Sequence, residues 1–205
     1  MNMPKIFNMV SGIVLTILLV VSCGGSSSNA GQAVLDAISA RTSIRAYQDR
    51  PVGADTVELL LRAAMSAPSA RNRQPWAFIV VDDKDLLRQL ADSLPYAQSA
   101  AAAPMAVVVC GVLTESQGAT NAGWWVQDAA AASENLLLAA HAVGLGAVWT
   151  GVYSYEDRVR AVRNVLGLPR HVVPLNVIPI GYPAENPAPK QKWDPAKVRR
   201  NGWAE

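Results

Sequence analysis

Arg41-Thr42-Ser43-Ile44-Arg45-Ala46-Tyr47 and, further on, Ala67-Pro68-Ser69-Ala70-Arg71-Asn72-Arg73-Gln74-Pro75-Trp76 are the stretches on which the reading of this chain turns. Both are polar, basic and dense with hydrogen-bond donors, in a chain otherwise built from Ala, Leu and Val. If the first segment is extended, Arg41, Ser43 and Arg45 share one face, because side chains alternate along a strand. Two guanidiniums and a hydroxyl on one spot suit a phosphate, to which arginine makes bidentate, charge-assisted bonds. A solvated turn with two surface arginines fits the same spacing. The second loop is stiffened by Pro68 and Pro75 and offers Ser69, Asn72 and Gln74 as directional partners. It suits the edge of a heterocycle, or a loop that only satisfies its own backbone.

Outward from these loops, helical and strand patterns alternate. Ala33 to Ala40 reads as a short helix. Asp55 to Ser66 reads as a stronger one, with Asp55 and Glu58 spaced as a capping box. Val57, Leu60, Leu61, Ala64 and Met65 give it one apolar face, and Pro68 follows its end. Trp76 to Val81 is apolar and β-branched, the pattern of a strand. Asp83 to Leu94 is an amphipathic helix and Pro104 to Val112 a buried strand. Trp124 to Val143 is the longest helix, alanine-rich and closed by Gly144. Ala147 to Val152 reads as a strand, and Tyr155 to Leu166 as a helix stopped by Gly167 and Pro169. Val172 to Ile180 is the last strand, which Pro174 and Pro179 mark as irregular or an edge. Gly181 to Glu205 is rich in Pro and Lys, has no core pattern and is expected to wrap over another surface. Mixed helices and strands around a long helix imply an α+β layer fold.

The chain has 205 residues, enough for one domain with a real core. It is 51% hydrophobic, which excludes disorder. A net charge of +2 without like-charge runs excludes a nucleic-acid-binding field. No P-loop, Gly-x-Ser-x-Gly, His-Glu-x-x-His or dinucleotide glycine turn occurs, and no metal-type Cys/His spacing. Cys110 lies in an apolar run and reads as a small buried hydrophobe.

The N-terminus has another character. Lys5 is its only charge, and the apolar run from Met9 to Val21 is shorter than the ~20 residues of a bilayer-spanning helix. It fits the apolar region of an export signal. Val20-Val21-Ser22-Cys23-Gly24 resembles the bacterial lipobox, which implies cleavage before Cys23 and its lipidation. The alternative is an uncleaved signal anchor. Residues 24–31 are rich in Gly, Ser and Asn and read as a flexible tether. The expected organisation is a signal peptide over 1–22, a tether over 23–32 and a domain over 33–205. The domain is then expected in the cell envelope, lipid-anchored at a periplasmic or outer membrane surface.

Taken in order, the motifs resemble those of the nitroreductase family of flavoproteins from about Ala33 to the C-terminus. The matching pieces are Arg-Thr-Ser-Ile-Arg-Ala-Tyr at 41–47, Ala-Pro-Ser-Ala-x-Asn-x-Gln-Pro-Trp at 67–76, Gln-Asp-Ala-Ala at 127–130, Gly-Leu-Gly at 144–146, Trp-Thr-Gly at 149–151 and Gly-Tyr-Pro at 181–183. The resemblance implies a mixed or antiparallel sheet flanked by helices, in an intertwined homodimer with FMN at the subunit interface. It also implies that Arg41 and Ser43, with Thr42 between them, hold the FMN phosphate, and that Arg45 reaches the pyrimidine side of the ring. Pro68, Ser69, Ala70 and Asn72 would come from the partner subunit. Thr150 and Gly151 would offer backbone groups near N5 and O4. Lys190 and Lys192, with Arg199 and Arg200 as alternatives, would complete the phosphate site.

The activity so implied is an FMN-dependent oxidoreductase that passes two electrons from a small-molecule donor to a nitroaromatic, quinone or similar electrophile. No side-chain catalytic dyad is found, and none is needed where the cofactor carries the hard chemistry. The family's usual donors are NADH and NADPH. An exported member would need a donor in the envelope, which keeps open a flavin-binding lipoprotein without turnover. His141, His171, Glu134, Trp124 and Trp125 read as structural. Asp128 is expected to cap the long helix or meet a partner, and Tyr96 and Trp149 are candidates for lining the pocket.

Overall fold

The computed structural model of the protein describes residues 26–113 and 123–203. Cys23 and the stretch expected to be an export signal lie outside the described residues. Among those described, the elements run α1 (Ser26–Ala40), α2 (Ala54–Met65), β1 (Trp76–Val81), α3 (Lys84–Ser93), α4 (Ser99–Ala102), β2 (Met105–Val112), α5 (Trp124–Ala142), β3 (Gly146–Ala147), β4 (Thr150–Gly151), α6 (Glu156–Leu166) and β5 (Val172–Gly181). The class is α+β, as expected from the sequence.

The strands form an antiparallel sheet in the order β1-β2-β5-β3, with β4 also paired to β5. Strand β2 alternates without a break. Met105, Val107 and Val109 face one core with Leu60, Trp125, Ala129 and Leu136 of α2 and α5. Ala106, Val108 and Cys110 face the other with Leu87, Leu90 and Val162 of α3 and α6. This period of two on a strand buried on both faces explains why β2 reads as a continuous apolar run. The result is three layers, with α2 and α5 on one side of the sheet and α3 and α6 on the other. Burial pushes the Cys110 thiol up to about 12, so it stays protonated and inert.

Local chemistry sets most boundaries. Asp83 caps α3 by accepting from the Asp85 and Leu86 N–H groups. Gly167 ends α6 at φ 64°, and Gly144 follows α5 at φ 76°; both are left-handed positions that favour glycine. Gly111 is required for space, since a Cβ there would lie 2.2 Å from the Trp125 ring. Trp125 is accordingly buried in the core, with an edge-on contact to Tyr153 at 4.8 Å.

Four expectations need correction. Helix α1 begins at Ser26 rather than Ala33, so residues 26–32 are helical and not a flexible tether. Extending an existing helix costs little once its nucleus has formed. Helix α2 starts at Ala54 after a Gly53 N-cap, so Asp55 sits inside the first turn and makes no capping box. Glu58 instead pairs with Arg62 at 2.6 Å. The strand expected over Ala147 to Val152 is two short pieces, β3 and β4, separated by Val148 and Trp149. Last, β5 is irregular, as its prolines imply, but central rather than an edge. Pro174 sits beside a register shift at Val109/Cys110. Pro179 uses its carbonyl to accept from Val148 N–H at 3.4 Å, in the gap between β3 and β4, where the ladder asks for no N–H.

Candidate functional site

The Arg41–Tyr47 segment is extended and lies against β3. Ser43 forms a parallel bridge with Ala147, and Ile44 N–H donates to the Ala147 carbonyl at 3.0 Å. Gly146 lets it come close, because a Cβ there would meet Ile44 at 2.6 Å. Tyr47 pins the far end by donating its hydroxyl to the carbonyls of Ile44 and Pro179, at 2.6 and 3.2 Å. Burial pushes this phenol far above its ordinary range, so it stays a donor.

The C-terminal segment returns along the other side of this stretch. Gln48 N–H donates to Tyr182 and Ala184 N–H to Ala46, at 2.8 and 2.9 Å. Glu185 then accepts from the backbone N–H groups of Arg45 and Ala46, at 2.5 and 3.1 Å. These two bonds, with the nearby Arg45 charge, hold its carboxyl below the usual carboxylate range. The expected wrapping tail is thus a strap over its own chain, at least at its start. Beyond it Trp193 and Trp203 are largely exposed.

Segment and strap enclose a cavity of about 600 Å³. Arg41, Ser43, Arg45, Lys190 and Lys192 line it, together with Thr42. Two segments far apart in sequence therefore converge on one basic pocket. The strap's carboxylate, Glu185, also lines this pocket; its Oε1 accepts both backbone donors, and the group keeps its negative charge among the cations. Arg41 is mostly buried, and its Nε lies 3.4 Å from Glu134. Arg199 and Arg200, the alternatives to the lysines, are not among the lining residues; Arg199 turns to the Ala196 and Val198 carbonyls and the Trp203 ring. Next to this cavity lies a second one of about 310 Å³ that shares Arg41 and Thr42 and reaches His141.

Pro68, Ser69, Ala70 and Asn72 do not line the basic cavity of their own chain. Their loop is rigid in its own right. Arg71, Asn72 and Gln74 all take positive φ, at 56°, 54° and 50°. Ser69 Oγ accepts from Gln74 N–H, and Gln74 Nε2 donates to Asn72 Oδ1, both at 3.0 Å. The buried Asp128 of α5 accepts from Ala70 N–H at 2.9 Å. Asp128 therefore does not cap its helix; it fixes this loop. Left-handed non-glycine residues cost energy and persist only where surroundings over-determine them, as at binding sites.

Thr150 and Gly151 lie on β4, also outside the basic cavity. Thr150 is buried and donates its hydroxyl to the Tyr96 carbonyl at 3.4 Å. Tyr96 and Trp149 are exposed and do not line the basic cavity. His171 is exposed and uses its carbonyl to accept from Leu113. Sequence reasoning missed Glu185, an isolated acid in a Pro-rich tail with no periodic signal around it. Among the described residues no group of three or more His, Cys, Asp and Glu could hold a metal ion. No helix among them is long and apolar enough to cross a membrane.

Comparison with known proteins follows the same lines. The model of the nitroreductase family matches residues 38–125 and 93–182. A protein of Methanothermobacter thermautotrophicus, provisionally named NADH dehydrogenase/NAD(P)H nitroreductase, is 47% identical over 170 residues, covering 83% of this chain and 87% of its own length. A crystal structure of a protein with the same provisional name from Parabacteroides distasonis superposes with a TM-score of 0.78 at 46% identity, over 83% of this chain and 98% of that one. An FMN-dependent nitroreductase of Clostridium difficile superposes with a TM-score of 0.75 at 29% identity, over 82% and 99%.

Proposed function

We infer the function from one premise: the chain belongs to the nitroreductase family. From it we propose an FMN-dependent oxidoreductase that moves two electrons from NADH, NADPH or another envelope donor to a nitroaromatic, quinone or similar electrophile. The observation that carries the reading is the convergence of Arg41, Arg45, Lys190 and Lys192 on one cavity.

The residues present fit the phosphate end of FMN. A doubly charged phosphate needs several donors and cations, and this cavity supplies Arg41, Arg45, Lys190 and Lys192 against the negative charge of Glu185. Arg41 and Lys190 or Lys192 would hold the phosphate, with Ser43 and Thr42 adding hydroxyl donors. Arg45 would place a fixed positive charge beside the ring. When bound, FMN supplies hydride acceptance and donation, which no side chain here can do. Thr150 and Gly151 would orient its reactive edge through backbone groups, held in place by β5.

Pro68, Ser69, Ala70 and Asn72 are built rigidly but lie off the basic cavity, which favours their serving the site of a second subunit. A homodimer also accounts for Val34, Leu35 and Ile38 of α1 and Leu59 and Met65 of α2, which are exposed in the single chain. On this reading each dimer has two sites, each made by both subunits. The lipobox-like sequence at Cys23 supports lipid anchoring of this dimer in the cell envelope.

Absorbance of the purified protein tests the proposal. Bound oxidised flavin should give visible bands that a reductant bleaches and a nitroaromatic or quinone restores. A colourless protein that takes up no added FMN would overturn it. Stopped-flow reduction with NADH and NADPH names the donor, and flavin that binds without any turnover would instead favour a flavin-binding lipoprotein.

A further inference from the structure

The Thr150–Gly151 turn is braced by a cation outside the basic cavity. Arg158, in the first turn of α6, donates from Nη1 to the Gly151 carbonyl at 3.3 Å. Its guanidinium carbon lies 3.9 Å from the centre of the Tyr155 ring and 5.6 Å from that of Tyr96. Tyr96 is tied to the same turn through its carbonyl and the Thr150 hydroxyl. Glu156 and Asp157 directly precede Arg158, yet Arg158 forms no ion pair among the described residues. It engages a carbonyl and two rings and no carboxylate directly.

The surroundings are aromatic and open. Tyr96 and Tyr155 are 72% and 58% exposed. Rings gathered at the surface around one cation are poor solvent-facing structure and good binding structure. A guanidinium is planar, stacks on aromatic faces and still presents in-plane N–H donors to a carboxylate.

We propose that Arg158, Tyr96 and Tyr155 form a recognition site for a planar aromatic anion, in which the rings take the plane and the guanidinium takes the charged group. This rests on the proposed function, because the site borders the turn assigned there to the flavin's reactive edge. The ligand is then the electron acceptor, and the acceptor class narrows to nitroaromatics or quinones that carry an acidic group. Glu156 and Asp157 oppose an anion through space, so the preference is moderate and weakens with salt.

The test compares 4-nitrobenzoate with its neutral analogue 4-nitrobenzamide by calorimetric titration of the full-length, FMN-treated protein. The wild type should bind the benzoate about tenfold more tightly than the amide, the size of one charge-assisted bond. Arg158→Gln should bring that ratio near one, and Arg158→Lys should keep part of it. A wild-type ratio of one, or an unchanged ratio in Arg158→Gln, overturns the proposal. Equal weakening of both ligands in Arg158→Gln also overturns it, leaving Arg158 a brace for Gly151 only. Flavin content is read separately by absorbance. Protein that takes up no flavin but keeps an Arg158-dependent ratio sinks the cofactor reading and upholds the anion site.

Discussion

The Arg41–Tyr47 segment and the Ala67–Trp76 loop hold similar residues but are fixed by opposite means. The first is extended and owes its place to long-range partners: β3 on one side, the strap with Glu185 on the other. Its arginines reach a cavity that the same chain completes with Lys190 and Lys192. The second is locked by local bonds among Ser69, Asn72 and Gln74 and by one buried carboxylate, Asp128. It is shaped in advance, at the cost of left-handed backbone, yet does not line the basic cavity. On the proposed reading, a site built this way has an anion-binding half that a single chain can complete. Its other half is preorganised for something the single chain lacks.

The sharpest way to break this comparison is to remove one member from each half. Arg41→Ala deletes a mostly buried cation of the cavity and should weaken FMN binding about 10- to 100-fold, as expected for lost charge-assisted bonds. Asn72→Ala should weaken it less, by removing one directional contact. Mixing the two variants after unfolding is decisive for the dimer. A mixed dimer has one site with both lesions and one with neither, so the mixture should recover tight sites that neither variant has alone. Titration of FMN fluorescence checks this. No recovery would place both lesions in the same chain's site.

A smaller effect separates the loop's anchor from its ligand role. Asp128→Ala leaves Ala70 N–H without its acceptor and should lower stability by about 1–3 kcal/mol. Asp128→Asn keeps an acceptor oxygen and should recover most of that. Asn72→Val, which forces a β-branched residue into a left-handed position, should cost about 1–2 kcal/mol. Urea unfolding measures both. Equal effects from Asp128→Ala and its Asn counterpart would show that the bond to Ala70 does not hold the loop.

The basic half is more legible in sequence than the loop's support. The period of two along an extended chain is enough to put Arg41, Ser43 and Arg45 on one face, and the amphipathic α3 and α6 and the apolar β2 read directly from pattern. What fails to read depends on contacts distant in sequence. Asp128 lies on an alanine-rich helix whose pattern shows burial but not which loop it meets. The prolines of β5 argue for an edge, and only the register shift and the break between β3 and β4 show how a central strand tolerates them. The glycine- and serine-rich start of α1 has the composition of a linker, but its neighbours extend a helix through it.

The smallest expected effect concerns the strap that closes the basic half. Glu185 is exposed, but its carboxylate accepts the backbone N–H groups of Arg45 and Ala46, which lowers its pKa. A lowered folded pKa means the folded state prefers the charged form. Its contribution is therefore full above the ordinary glutamate range, near about 4.3, and is lost as pH falls through the lowered value. Glu185→Gln keeps the shape without the charge, so its melting temperature should lie slightly below wild type at pH 7. The two should converge as the medium is acidified below the carboxylate range. No gap at any pH would mean the strap is held by the Gln48 and Ala184 bonds alone. The basic cavity would then owe its closure to backbone pairing, as its opposite wall at β3 does.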